Sequence, residues 1–525
     1  HNLTLIAGYN YEAKYYRDLT AANDGLLSED LSDFNLAKGT TNFTLNGGRN
    51  EYAIMGWFYR AAYDYKGKYL AEVNGRYDGT SRFPRGKRYG FFPSFSAAYR
   101  ISEEAFFEPL RKTVDNLKIR LSYGSLGNQQ IGYYDFIQTI TTKGSMGDYS
   151  FDGTILGQHA TVSDPVSGNQ TWEKVISKNL GADLNMFSNR LSLTADFYIR
   201  DTKGILGKGK SLPSIYGANE PQVNSNNLRT KGYELVLGWR DSFKLAGSTF
   251  SYGITGTFSD YTAEYTKCDN PSGLIGDPYV GKKYGEIWGY KVDGLFRNDE
   301  EAAEYASRVD LSKVAAGYYS ATGAYGKGVR GGDIKYLDLD GSGIVDGGKG
   351  TLEDPGDRRV IGNSSPRYQY GLTLNLSWYG FDLSVFMQGI GRLDWYPGAD
   401  NLRFWGPYSR PYATFIPKNF MSQVWSESNP DAYLPRARAY TSLNSTQGTA
   451  YYTNDRYLQN LAYCRLKNLT LGYTIPKRLT SKVGIKECRV YFSGENLATW
   501  SALKNDFLDP EQAAADSDKK SNGDS

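Results

Sequence analysis

Cysteine and histidine are nearly missing from this chain of 525 residues: Cys268, Cys464 and Cys488 are its 3 cysteines, His1 and His159 its 2 histidines. No two cysteines stand in a CxxC pair, so neither a zinc site of the Cys/His kind nor a dithiol motif can be written. No GxSxG elbow and no phosphate-binding P-loop occurs, and the carboxylates are scattered without an identifiable acid–base pair. The chain therefore reads as a non-enzyme that requires no cofactor. Charge of one sign is also lacking: 60 Lys and Arg against 57 Asp and Glu leave a formal +3. Without a basic stripe, nucleic acid is excluded as a partner. Nor is there a run approaching the roughly 20 apolar residues that a membrane-crossing helix needs. No basic-then-apolar leader precedes His1, and the polar stretch Ala513–Ser525 holds no aromatic strand. The expectation is an internal piece of something larger.

What the chain has is tyrosine, 44 of them, and glycine, 59, arranged in long stretches of strict alternation. Over 52–66 the odd positions read Ala53, Met55, Trp57, Tyr59, Ala61, Tyr63 and Tyr65, while Arg60, Asp64 and Lys66 stand among the even ones. Over 68–78, Tyr69, Ala71, Val73 and Tyr77 alternate with Lys68, Glu72, Asn74, Arg76 and Asp78. A period of two means a strand with two chemically different sides. Here one side is apolar and ends in aromatics while the other is charged, the pattern of a strand between lipid and a wet lumen. A low mean hydropathy does not count against this, since only every second residue would meet lipid. Similar segments occur at 91–101, 117–124, 191–200, 233–240, 370–378, 381–387 and 469–475, which leads to about 14 to 16 strands.

Tyr65–Lys68 and Trp378–Phe381 read as tight hairpin turns, whereas 19–50, 127–170, 203–228, 297–332 and 391–455 read as long loops rich in Gly, Asn, Asp, Ser and Tyr. Short turns on one rim and long loops on the other suit an all-β, antiparallel up-and-down transmembrane barrel with its long loops outside. A propeller would need a repeat of roughly 40 to 50 residues, and none is visible. The expected division is a partial barrel over 1–508, lacking plug, first strands and closing strand, and a polar tail over 509–525 that reads as a truncated outer loop. Trp57, Tyr59, Tyr63, Trp239 and Trp378 are assigned to lipid or the membrane interface.

Several blocks resemble the SusC/RagA family of TonB-dependent outer-membrane transporters of Bacteroidota. They are Lys68–Phe83 followed by Gly90–Arg100, then Leu117–Gln129, Tyr198–Lys203 with Thr230–Leu235, Gly332–Tyr336, Val360–Asn363, Tyr463–Leu469 and Gly494–Leu497. The resemblance implies a barrel of about 22 strands around a plug, a SusD-like surface lipoprotein as lid, and energy from TonB, ExbB and ExbD through a region outside this chain. It implies an outer-membrane location and import of a bulky nutrient, with a glycan oligosaccharide preferred and peptides as the alternative. A barrel-anchored surface adhesin or a passive porin is the rival from another class.

Two candidate sites stand out. Asp338, Asp340, Ser342 and Asp346 place oxygen ligands at the first, third, fifth and ninth positions of a loop like that of an EF-hand, with Gly343 at the sixth and Val345 at the eighth. Calcium prefers such hard oxygens, so a structural calcium ion is expected. Lys349 occupies the twelfth position in place of an acid, and Glu353, Asp354 or Asp357 are the substitutes within reach. Otherwise the segment is an acidic surface turn. For substrate, Trp395, Arg403, Phe404, Trp405, Tyr408 and Arg410 combine aromatic faces with cations, as sugar or peptide recognition requires. The competing reading is that these aromatics pack the loop or form the interfacial girdle.

Overall fold

The computed structural model describes the chain except for residues 27, 29, 32, 144–149, 152–153, 156–158, 211, 320–327, 400, 410–415, 439–442, 444–447, 505–507 and 514–525. Thirteen strands form one sheet. They are β1 Asn2–Ala22, β2 Thr44–Tyr65, β3 Tyr69–Thr80, β4 Tyr89–Arg100, β5 Val114–Asn128, β6 Glu173–Met186, β7 Leu191–Lys208, β8 Gln222–Leu245, β9 Ser248–Lys267, β10 Arg367–Trp378, β11 Phe381–Arg392, β12 Tyr463–Thr474 and β13 Arg489–Ser501. Their order in the sheet follows the chain without a crossover, the up-and-down meander expected. Thirteen falls below the 14 to 16 strands anticipated from alternation; further short strands pair two by two outside this sheet.

Two-residue turns set the register at one end of the strands. Lys66 and Gly67, Ala246 and Gly247, and Tyr379 and Gly380 all take positive φ, as the hairpin turns that follow strand twist demand. Opposite lie the long connections. The 203–228 segment is corrected: β7 and β8 run through most of it, leaving a loop of 209–221. Asn224 explains why, since its amide donates to the carbonyls of Gly204 (2.6 Å) and Thr171 (3.0 Å). The 297–332 loop in turn belongs to a larger excursion from 268 to 366, which contains the paired strands Glu286–Tyr290 with Arg358–Asn363 and Val292–Leu295 with Ile334–Tyr336.

The chain divides into two compact units, one of 1–103, 119–180 and 199–228, the other of 104–118, 181–198 and 229–525. In the first, Tyr9 faces Trp57, Trp57 faces Tyr77 and Tyr77 faces Phe91. Nearer the turns, Tyr65 faces Tyr69, and Tyr69 stacks on Tyr99 at 5.1 Å. Eight residues separate Trp57 from Tyr65, about 27 Å of strand or about 20 Å of depth at barrel tilt, close to the apolar band between aromatic girdles. The alternate face carries Asn10, Arg76 and Asp78, joined at 2.9–3.0 Å, and Arg60 with Glu72 at 2.6 Å.

The second unit repeats the arrangement. Ile254, Leu374, Val385 and Leu469 form one cross-strand row, and Gly253, Asn375, Ser384, Thr470 and Ser493 the next. Among the described residues the apolar rows lie open: Leu5 is 69% exposed and Trp57 62% in the first unit, and Ile254 42% in the second. In a sandwich those side chains would form the core. The large core of the second unit instead lies in its loops, around Phe296, Tyr318, Tyr336, Trp405, Tyr457 and Leu461. Leu508 and Ala513 belong to that core, and Arg465 binds Asp509 (2.7 Å) and Glu511 (2.6 Å), so the packing continues past residue 508.

Candidate functional site

The alternate, polar face of the sheet presents charged and amide side chains in pairs. Near the two-residue turns of the second unit it opens into a recess of about 750 Å³ lined by Arg190, Arg240, Asp241, Ser251, Asn375 and Asp382. Asp382 is held by Arg489. Such a wall offers hydrogen bonds and fixed charge to polar matter and no nucleophile–base pair among its lining residues.

In the loop core of the second unit lies a buried ion pair. Asp333 accepts from Arg438 Nε at 2.9 Å and Nη2 at 2.6 Å, and from the backbone N–H of Arg330 at 2.8 Å. The Arg438 guanidinium also covers the Tyr318 ring at 4.1 Å. Beside it, Gly332 takes a φ of +86°, and a Cβ there would meet the Trp425 ring at 2.4 Å. The motif Gly332–Tyr336 is thus a junction where the 297–336 segment meets 424–461.

The acidic loop that follows brings three carboxylates together: oxygens of Asp338, Asp340 and Asp357 all lie within 4.8 Å of one another. Asp357 is buried and accepts from the N–H groups of Leu339 (2.6 Å) and Asp346 (2.9 Å). It is the one of the three substitutes for Lys349 that joins this group. Ser342 and Asp346 stand outside the trio. The Ser342 hydroxyl bonds the Ile344 carbonyl at 3.0 Å, and Asp346 accepts from the Gly348 N–H at 2.7 Å. The Ser342 N–H holds the Asp340 carboxyl below its ordinary range, while burial pushes that of Asp357 up. Three hard oxygen donors this close fit a divalent cation of the calcium class.

The six residues singled out for substrate contact have a different placement. Trp395 pairs with Gln459 in a two-residue ladder and is buried. Phe404 and Trp405 belong to the short helix Leu402–Trp405, capped by Asn401, whose Oδ1 accepts from the Phe404 N–H at 2.9 Å. The Trp405 indole donates to Pro397 and Gly398, and its ring meets Tyr457 at 5.0 Å. The Tyr408 hydroxyl donates to Pro435. All four rings are therefore packed within the loop rather than offered to a ligand. A connection this long must bury apolar area of its own to be ordered. Arg403 is exposed. Arg410 lies outside the described residues.

Residues 1–497 match the family model for the TonB dependent receptor-like β-barrel. TonB-dependent receptor P3 of Formosa agariphila is 26% identical over 95% of this chain and 46% of its own length. TonB-dependent receptor SusC of Bacteroides thetaiotaomicron is 24% identical over 87% and 41%. The chain thus spans about half the length of the curated relatives it matches. Among solved structures, the RagAB peptide transporter shares the fold with a TM-score of 0.72 at 22% identity, over 97% of this chain and 51% of that one. The exposed apolar rows and the meander are those of an outer-membrane wall, in a family of transporters and receptors rather than enzymes. The chain belongs to the TonB-dependent receptor β-barrel family.

Proposed function

We propose that this chain supplies barrel wall and outer loops to an importer that carries a bulky nutrient, an oligosaccharide, across the outer membrane. It works with a SusD-like surface lipoprotein and draws energy through TonB, ExbB and ExbD. The observation that carries the reading is the two-faced sheet, lipid-type on one side and lined with paired charges and amides on the other, joined to loops that fold around their own core. A porin needs no energy. Uptake of fluorescent oligosaccharides and of a peptide panel, measured in a deletion strain and in a strain lacking TonB, tests it. Oligosaccharide uptake is expected to fall to background in both. Loss of peptide uptake alone would reassign the cargo to the kind that the RagAB transporter is described as carrying. Loss of neither would remove the importer, and uptake that survives without TonB would leave a porin.

The same reading takes Asp338, Asp340 and Asp357 as a calcium site that stiffens the loop unit. Calorimetry on the complete protein is expected to give one calcium ion per chain, abolished by Asp357→Asn. Calcium binds the deprotonated carboxylates, so affinity should weaken as the pH falls toward the carboxylate range near about 4. Asp357, raised by burial, takes a proton before Asp340, lowered by its N–H partner. No heat at millimolar calcium would make the segment a turn only.

A further inference from the structure

Small residues open a recess in the exposed apolar face of the first unit. Between Tyr63, Tyr69 and Tyr99 on one side and Ile119 and Leu121 on the other, the floor is made by Ala71 and Ala97, which face each other across β3 and β4. The result is a recess of about 500 Å³. Its walls are stiff: the Tyr69 and Tyr99 rings lie 5° from parallel, and the Tyr63 hydroxyl is fixed at 2.7 Å from His1 Nδ1. A groove that cannot collapse leaves its lining without dispersion partners unless something apolar fills it.

The turn end of the groove is cationic. Lys66 places its ammonium 5.4 Å from the centre of the Tyr65 ring, which itself stands 6.2 Å from Tyr69 in the groove wall. Arg100 reaches the same turn, its Nη1 3.5 Å from where a Cβ on Gly67 would be. A chain-shaped apolar slot with the Lys66 ammonium at its turn end is complementary to a lipid with a phosphate head.

We propose that this groove holds one glycerophospholipid, with an acyl chain along Ala71 and Ala97 and its phosphate at Lys66, as a defined site distinct from bulk lipid. Short turns of outer-membrane barrels face the periplasm, and the Tyr65–Tyr69 connection is such a turn. The lipid is therefore one of the inner leaflet and not a lipopolysaccharide.

Native mass spectrometry of the complete protein released from phosphatidylethanolamine nanodiscs is expected to show one retained lipid. Ala97→Phe, which fills the floor, should lower retention roughly tenfold, the effect of displacing about two methylenes of the acyl chain from the groove. Ala71→Leu should act in the same direction, and Lys66→Gln should weaken retention several-fold. Heat-dependent gel mobility reports whether each barrel is folded. Retention that stays at the wild-type level in folded Ala97→Phe or Ala71→Leu, or a preference for lipid A when both lipids are present, overturns the proposal. Ala97→Phe and Ala71→Leu lie on the apolar face, so nutrient uptake should be unchanged in both, and failure here is separable from failure of the import reading.

Discussion

Leu374→Arg in the complete protein is expected to cost about 2–4 kcal/mol of folding stability, the charge for an arginine on the lipid face near mid-depth, whereas Asn375→Arg should cost little. The two positions are adjacent in β10 and differ only in the side they present. Leu374 lies in the row Ile254, Leu374, Val385, Leu469, four residues from the turn-end Trp378, about 13 Å of strand and so deep in the apolar band. Asn375 lies in the row of Ser384, Thr470 and Ser493 and lines the recess of about 750 Å³, where a long cation finds room, water and Asp382. Denaturant titration in lipid vesicles, with Leu374→Ala as the reference for lost volume, measures both. Equal penalties for the two arginines would mean that both faces meet the same medium, and the membrane assignment of this sheet would fall with that result.

Period-two alternation made most of the sheet legible, because a strand that meets lipid on one side and water on the other must write that difference into every second residue. Tyr65–Lys68 and Trp378–Phe381 were equally readable, since a tight hairpin needs positive φ and a glycine in the turn. The continuation of β7 and β8 through 203–228 was not. Asn224 and Asn227 look like loop residues, yet their amides bond Gly204 and its neighbours and carry the ladder onward. The loop core was hidden for a different reason. Tyr336 bonds the carbonyl of Thr449, 113 residues away, and no local pattern announces such a contact. That is why Trp395, Phe404, Trp405 and Tyr408 read as a ligand platform and prove to be packing. At the acidic loop Asp338 and Asp340 were visible and Asp357 was one of three acids in view beyond the insertion; what picks it, its backbone N–H partners, no motif encodes, and Ser342 and Asp346 turn instead to the backbone of their own loop.

Arg438→Met is expected to loosen the loop unit by about 3–5 kcal/mol, because it leaves the Asp333 carboxylate buried without its counter-charge. Asp333 is 1% exposed, so water cannot replace the guanidinium. Burial already pushes its carboxyl up, and without Arg438 the protonated form becomes the favoured one. The sign follows: an acid whose folded-state pKa is raised supports folding below that pKa and opposes it above, so the variant should be firmer at acid pH and lose stability as the pH rises. Pairing the change with Asp333→Asn removes the orphaned charge and should recover most of the loss, since an amide can still accept from the Arg330 N–H. Hydrogen exchange at Tyr336 and Trp425 across this four-protein cycle locates the effect in the loops and leaves the sheet amides as an internal control. A loss below about 1 kcal/mol, the scale of an exposed pair, would show that the junction breathes enough to hydrate Asp333.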